Sequence, residues 1–258
     1  MHRLALSTMI LSATLVLPSA VTSQAAPLTG AAKLADSAAR VIDRAYFAAD
    51  LAALQGARTL LDRALVTFPK DPLLLHYQGY ELYREAVLLE GLRRGPEAAP
   101  LVEKARTALE QSIAGRPMPE THALLSSVLG QMIGADASLG MTLGPLSGQE
   151  MEAAVAAGPL NPRVWILRGI SSFYTPEEYG GGVSIAETQL NRAVALLAVD
   201  HPVSPEPSWG HAEAYAWLGQ VLQKENKTAD AAAAYNKALA LEPNFVWVKT
   251  VLLPSLKK

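Results

Sequence analysis

The chain has 258 residues, no cysteine and a formal net charge of −2; half of its residues are hydrophobic and only 6% are aromatic. Without cysteine it can have no disulfide, thiol nucleophile, thiolate metal site or lipid-modified N-terminal cysteine. The near-neutral charge, with no long run of Lys and Arg, argues against nucleic acid as a partner, because neutralising phosphates takes clustered cations.

The first residues, MHRLALSTMILSATLVLPSAVTSQA, place Arg3 ahead of an apolar run from Leu4 to Leu17, then Pro18 and the small residues around Ser23-Gln24-Ala25. That order predicts a signal peptide over 1–25, cut after Ala25, and a mature domain over 26–258 in the periplasm or outside the cell. The run is shorter than the roughly 18 apolar residues a spanning helix needs, and no later segment reaches that length. The mature chain is therefore expected not to span a membrane. Lacking disulfides, it must rely on its apolar core, and its abundant Ala and Leu favour helix.

Apolar residues then recur at three- and four-residue spacing over 34–48, 51–66, 73–89 and 101–113, and again over 164–173, 185–197, 215–222 and 231–241. Breaks fall at Pro69-Lys70-Asp71-Pro72, Gly95-Pro96, Gly115-Arg116-Pro117, Asn161-Pro162 and the proline-rich stretch 201–207. Proline stops a helix by removing a donor and restricting the residue before it. Few strand signals occur.

Within YTPEEYGGGVSIAE, the triplet Gly180-Gly181-Gly182 precedes a helix, as phosphate-binding glycines do. A phosphate loop also needs a preceding strand and a following Lys-Ser/Thr pair, and both are missing here. The triplet reads as a bend, with Ser184-x2-Glu187 as a capping box for the next helix. Downstream, Asp200, His201, Glu206 and His211 form a loose constellation without the i, i+4 histidine spacing of helical zinc sites. They read as solvated loop side chains, and no GxSxG or HExxH motif appears.

The segment AEAYAWLGQVLQKENKTADAAAAYNKALALEPN contains Tyr215-x2-Leu218-Gly219-x2-Leu222 followed by Ala231-x3-Tyr235-x2-Ala238-x4-Pro243. It resembles the tetratricopeptide repeat (TPR), whose period is about 34 residues. Only the Trp and Tyr positions of its first half are changed, to Tyr and Leu. Partial matches occur at Ala57-x3-Leu61-x2-Ala64-x4-Pro69, Leu75-x3-Gly79-x2-Leu82, Ala105-x3-Leu109-x2-Ser112-x4-Pro117 and Trp165-x3-Gly169 with Ala186-x3-Leu190-x2-Ala193. A further unit falls near Leu129-Gly130, its register open by several residues. The resemblance implies an all-α superhelical solenoid of about five hairpins, capped by a short C-terminal helix over 245–253 whose Phe245, Val246 and Val248 cover the last hairpin.

The resemblance also implies ligand contacts along the inner face, mainly from the first helix of each hairpin. Carried through Gly79 that face selects His76, Tyr80, Tyr83 and Arg84; through Gly169 it selects Arg163, Phe173 and Tyr174; through Gly219 it selects Gln220 and Lys224. Such residues either form a binding wall, as hot spots do, or pack between hairpins. The leading expectation is a non-enzymatic scaffold holding a peptide or protein partner in a concave groove, with no cofactor. A small-ligand partner of a solute transporter stands second, and a hydrolase using the 200–211 loop third. A wide groove favours the first, an enclosed apolar pocket the second and converging His and carboxylates the third.

Overall fold

In the computed structural model, residues 30–257 are described, and the expected leader and its cut site lie outside them. Ten helices form five antiparallel hairpins: α1 (Gly30–Phe47) with α2 (Leu51–Thr67), α3 (Pro72–Gly91) with α4 (Gly95–Gly115), α5 (Pro119–Ala135) with α6 (Gly140–Ala157), α7 (Pro162–Tyr174) with α8 (Val183–Leu197), and α9 (His211–Lys224) with α10 (Thr228–Leu241). No strand occurs among the described residues. Odd-numbered helices touch one another along the array, while even-numbered helices pack chiefly on their chain neighbours, so the odd helices form the inner layer. The fold is an all-α solenoid, and no helix of the described residues is long and apolar enough to cross a membrane.

Local chemistry sets the helix starts. Asp71 and Asn161 accept hydrogen bonds from the first free amides of α3 and α7, and Pro72 and Pro162 open those helices where a missing N–H costs nothing. The hairpins close where a small residue meets a large one. A Cβ on Gly79 would lie 2.5 Å from Leu109, one on Gly169 2.6 Å from Leu190, and one on Gly219 2.3 Å from Tyr235. These are the pairs that the repeat spacing couples. In the third hairpin the place is taken by Ser126, buried against Ser147 with hydroxyls 3.0 Å apart. Gly130 meets nothing within 4 Å, so the register lies one helical turn before the Leu129-Gly130 pair.

Two other local expectations differ from the structure. The break expected at Gly95-Pro96 falls at 92–94 instead, and both residues lie in the first turn of α4. The Ser184–Glu187 capping box does not form: α8 starts at Val183, and Gly182 precedes it with φ 105° and no side-chain cap. The triplet is a bend after a 3-10 turn (Glu177–Tyr179), with Gly180 at φ 80° and a Cβ on Gly181 only 2.1 Å from the Thr175 carbonyl oxygen. The C-terminal helix carries a π-helical turn, Val248–Leu252, and buries Phe245 and Val248 against the fifth hairpin. Phe245 also packs on α1, with its ring centroid 4.8 Å from Phe47 and 6.5 Å from Tyr46, so the two ends of the array meet.

Candidate functional site

The connections between successive hairpins are short at 68–71, 116–118 and 158–161, but residues 198–210 run long between α8 and α9. This segment lies across the inner layer. Arg163 of α7 holds Asp200 at 2.5 Å, Ser204 donates to Asp36 of α1 at 2.5 Å, Tyr77 of α3 donates to the Pro205 carbonyl at 2.9 Å, and Arg116 pairs with Glu206 at 3.0 Å. Trp209 ends the segment by stacking on Tyr80 at 5.2 Å, buried within the main core.

Behind Trp209 lies a buried polar network. Both terminal nitrogens of Arg84 reach Glu213 of α9 at 2.5 Å, and one also donates to the Tyr80 hydroxyl at 2.8 Å. Tyr80 in turn donates to Asp43 of α1 at 2.8 Å. The guanidinium sits over the rings of Tyr46 at 4.1 Å and Tyr80 at 4.7 Å, with Trp209 at 5.6 Å and Tyr83 at 5.8 Å. Burial works against the charge of Arg84, but Glu213 and the surrounding tyrosines outweigh it and raise its pKa. Burial pushes Asp43 up to about 6 against the opposing pull of the Tyr80 hydrogen bond and Arg84, and pushes Tyr83 up to about 12. His76, bonded through Nδ1 to the Thr121 hydroxyl at 2.9 Å, is driven down to about 3 by burial and the charge of Arg116, so it is neutral at physiological pH.

The residues expected along an open wall therefore separate into two groups. His76, Tyr80, Tyr83, Arg84 and Arg163 do lie on inner helices, but their side chains are buried. Part of the reason is the 198–210 segment, whose Asp200 pairs with Arg163 and whose Trp209 covers Tyr80 and Arg84, while Thr121, Asp43 and Glu213 supply the polar partners of His76, Tyr80 and Arg84. A wide open groove is thus not what the structure has there. Phe173, Tyr174, Gln220 and Lys224 lie elsewhere, near the C-terminal ends of the inner helices.

There, two tryptophans missed in the sequence join them. The rings of Phe173 and Tyr174 lie 5.9 and 5.8 Å from Trp217 of α9, and Trp217 lies 5.2 Å from Trp247 of the C-terminal helix. Tyr174 is 69% exposed, while Phe173, Trp217 and Trp247 are half-buried, so the cluster is an aromatic ledge with open ring surface. Gln220 and Lys224 continue the Trp217 side of α9 at helical spacing, half-buried and exposed respectively. Burial lifts the pKa of the Tyr174 hydroxyl, and Glu90 adds to the effect. Trp217 was within reach of sequence reasoning, since it stands three residues before Gln220. Trp247 was not, because its place depends on how the end helix docks.

Other chemistry is dispersed. Asp200 goes to Arg163, Glu206 to Arg116, and His211 stacks on Tyr215 at 5.9 Å, so the loop residues diverge rather than converge. No group of three or more His, Asp or Glu among the described residues is arranged to hold a metal. A cleft of about 740 Å³ lies at α2, α3 and α4, lined largely by polar side chains such as Arg58, Asp62, Gln78 and Lys104. Beside it Glu85 accepts from Gln55 at 3.0 Å and Arg58 at 2.7 Å. Neither carboxyl oxygen of buried Glu81 has an ordinary donor, and burial raises its pKa to about 9, with Arg58 opposing and Glu85 adding.

No family model matches the chain, and no curated protein matches it. Solved structures do. The HusA haemophore from Porphyromonas gingivalis superposes with a TM-score of 0.62 at 23% identity, covering 76% of this chain and 94% of that one. TTC0263, a thermophilic TPR protein of Thermus thermophilus, superposes with a TM-score of 0.59 at 20% identity, covering 87% of this chain and all of that one. At these identities the likeness is one of fold.

Proposed function

We propose that this chain, a helical-repeat scaffold with the TPR fold, is a non-enzymatic exported protein that binds a peptide or protein partner on its aromatic ledge. One observation carries the reading: Phe173, Tyr174, Trp217 and Trp247 form a continuous ring cluster with open surface, in a chain where aromatics are only 6% of residues. Tyr and Trp offer large, rigid contact area and are enriched among binding hot spots. Gln220 and Lys224 beside the rings supply polar contacts, as the rim of an interface does. Export is supported by the leader-like residues 1–25. The divergence of Asp200, Glu206 and His211 supports a binding role over hydrolysis.

The test is capture of partners from envelope extract by the mature protein, followed by affinity measurement with the recovered partner. Trp217→Ala with Tyr174→Ala should weaken binding by about 1–3 kcal/mol or more, as hot-spot truncations do. Val66→Ala, at an exposed apolar position of α2 far along the chain from the ledge, should leave it unchanged. Equal binding by both variants would refute the ledge as the site.

The fold shared with a haemophore favours a second reading, a flat apolar ligand stacked on the same rings. Titration with haem separates the two: saturable binding lost on Trp217→Ala would favour a small ligand, and absence of binding would favour a polypeptide partner.

A further inference from the structure

The 198–210 segment does more than join two hairpins. Its ends are fixed, by Asp200 on buried Arg163 and by Trp209 in the core. Between them residues 201–207, HPVSPEP, contain three prolines and a single internal backbone hydrogen bond, Glu206 N–H to the Val203 carbonyl. This stretch touches the array through three polar contacts: the Ser204 hydroxyl on Asp36 of α1, the Pro205 carbonyl on Tyr77 of α3 and the Glu206 carboxylate on Arg116 of the α4–α5 connection. Arg116 and Glu206 are both nearly half exposed, and an ion pair in that setting contributes little. A cavity of about 100 Å³ remains between this stretch and α1, lined by Asp36, Asp43, Tyr77 and Pro202 among others. The contact is therefore loosely packed, unlike the core on either side of it.

We propose that residues 201–207 are a tethered self-ligand, lying on a second peptide-binding surface formed by Asp36, Tyr77 and Arg116. Each of the three recognises a generic feature of an extended peptide. Asp36 takes a hydroxyl, Tyr77 a main-chain carbonyl and Arg116 a carboxylate, at the spacing of Ser204-Pro205-Glu206. The external partner fitting this surface is an extended, proline-containing segment with a hydroxyl two residues before a carboxylate. Prolines lower the ordering cost of such a segment. The tether keeps the surface occupied, because a linked segment acts at an effective concentration in the millimolar range. This surface is distinct from the aromatic ledge and does not depend on the ledge being a site.

The absence of cysteine makes a direct test available. Pro207→Cys places a single thiol at a buried position of the tethered stretch, and Ala216→Cys places one in the core of α9. Under native conditions the Pro207→Cys thiol should react with a thiol reagent at least about 10-fold faster than Ala216→Cys, because local opening needs less free energy than global unfolding. A free peptide of residues 201–207 at a few millimolar should accelerate that labelling at least about 2-fold by capturing the exposed surface, matching the tether's effective concentration. The same peptide with Ala at the serine and glutamate should not. Equal rates for the two thiols would show the segment to be part of the cooperative core and overturn the proposal. Rapid labelling that responds equally to both peptides, or to neither, would overturn the peptide-binding surface. If Pro207→Cys fails to fold, Ala39→Cys, half-buried at the cavity under the segment, carries the peptide comparison, in which only the peptide with Ser and Glu should change the labelling rate. None of these outcomes depends on ledge variants, so this idea and the ledge reading can fail separately.

Discussion

At the scale of single residues, Arg84 shows how one side chain can be committed to the interior. It joins Glu213, 129 positions away in the sequence, inside a box of aromatic rings. Removing one member of a buried, hydrogen-bonded pair leaves the other uncompensated, so Glu213→Gln should destabilise the fold by about 3–5 kcal/mol in urea titration. Arg84→Met with Glu213→Leu should recover much of that loss, since apolar replacement of a buried pair is often neutral. Glu81 makes a different prediction. Its carboxyl is raised from the ordinary value of 4.5 to about 9. The folded state therefore holds a proton that the unfolded state has released between these values, and stability falls as pH rises through that window. The slope reaches up to about 1.4 kcal/mol per pH unit for one group. Glu81→Gln should flatten the fall of stability between pH 5 and 9, within about the same window; an unchanged pH profile would show that Glu81 ionises normally. At Gly181 an added Cβ would meet the Thr175 carbonyl oxygen, so Gly181→Ala should cost about 1–3 kcal/mol, beyond the modest effect a simple bend suggests. Calorimetry should find no ATP binding before or after the change.

At the scale of elements, the hairpins were legible in sequence wherever a glycine faced a large residue. Gly79, Gly169 and Gly219 stand in the repeat pattern with Leu109, Leu190 and Tyr235, and the close approaches fall at those pairs. The third hairpin was less legible because Ser126 and Ser147 do the same job with a hydrogen bond, and no glycine marks the place. Ser126→Leu should therefore be among the more damaging changes in α5, costing about 1–3 kcal/mol or more by overpacking. Gly130→Ala should be neutral to stabilising, since nothing lies near its Cβ position. Comparing the two melting temperatures checks the register, and the reverse order would restore the Leu129-Gly130 alignment.

At the scale of the whole molecule, the inner-face residues were found from sequence but their exposure was not. Tyr80, Arg84 and Arg163 are buried inner-face residues covered, through Trp209 and Asp200, by a loop that composition alone presents as solvated. Covering them depends on contacts such as Tyr77 to Pro205, separated by 128 positions, and no local pattern encodes that pairing. The meeting of the array's ends through Phe47 and Phe245 is hidden for the same reason. Phe245→Ala should cost about 3–5 kcal/mol, more than loss of an ordinary end cap, because it opens the contact with α1 as well as the fifth hairpin.

The functional reading rests on the division of the concave face into a self-covered half and an exposed aromatic ledge. Site-specific photocrosslinking in the producing cell tests that division most directly, with a benzophenone side chain placed at position 174 on the ledge or at exposed position 66 on α2. We expect a discrete crosslinked partner from position 174, lost when Trp217→Ala is added, and none from position 66. Equal products from both positions, or a partner captured only from position 66, would contradict the account.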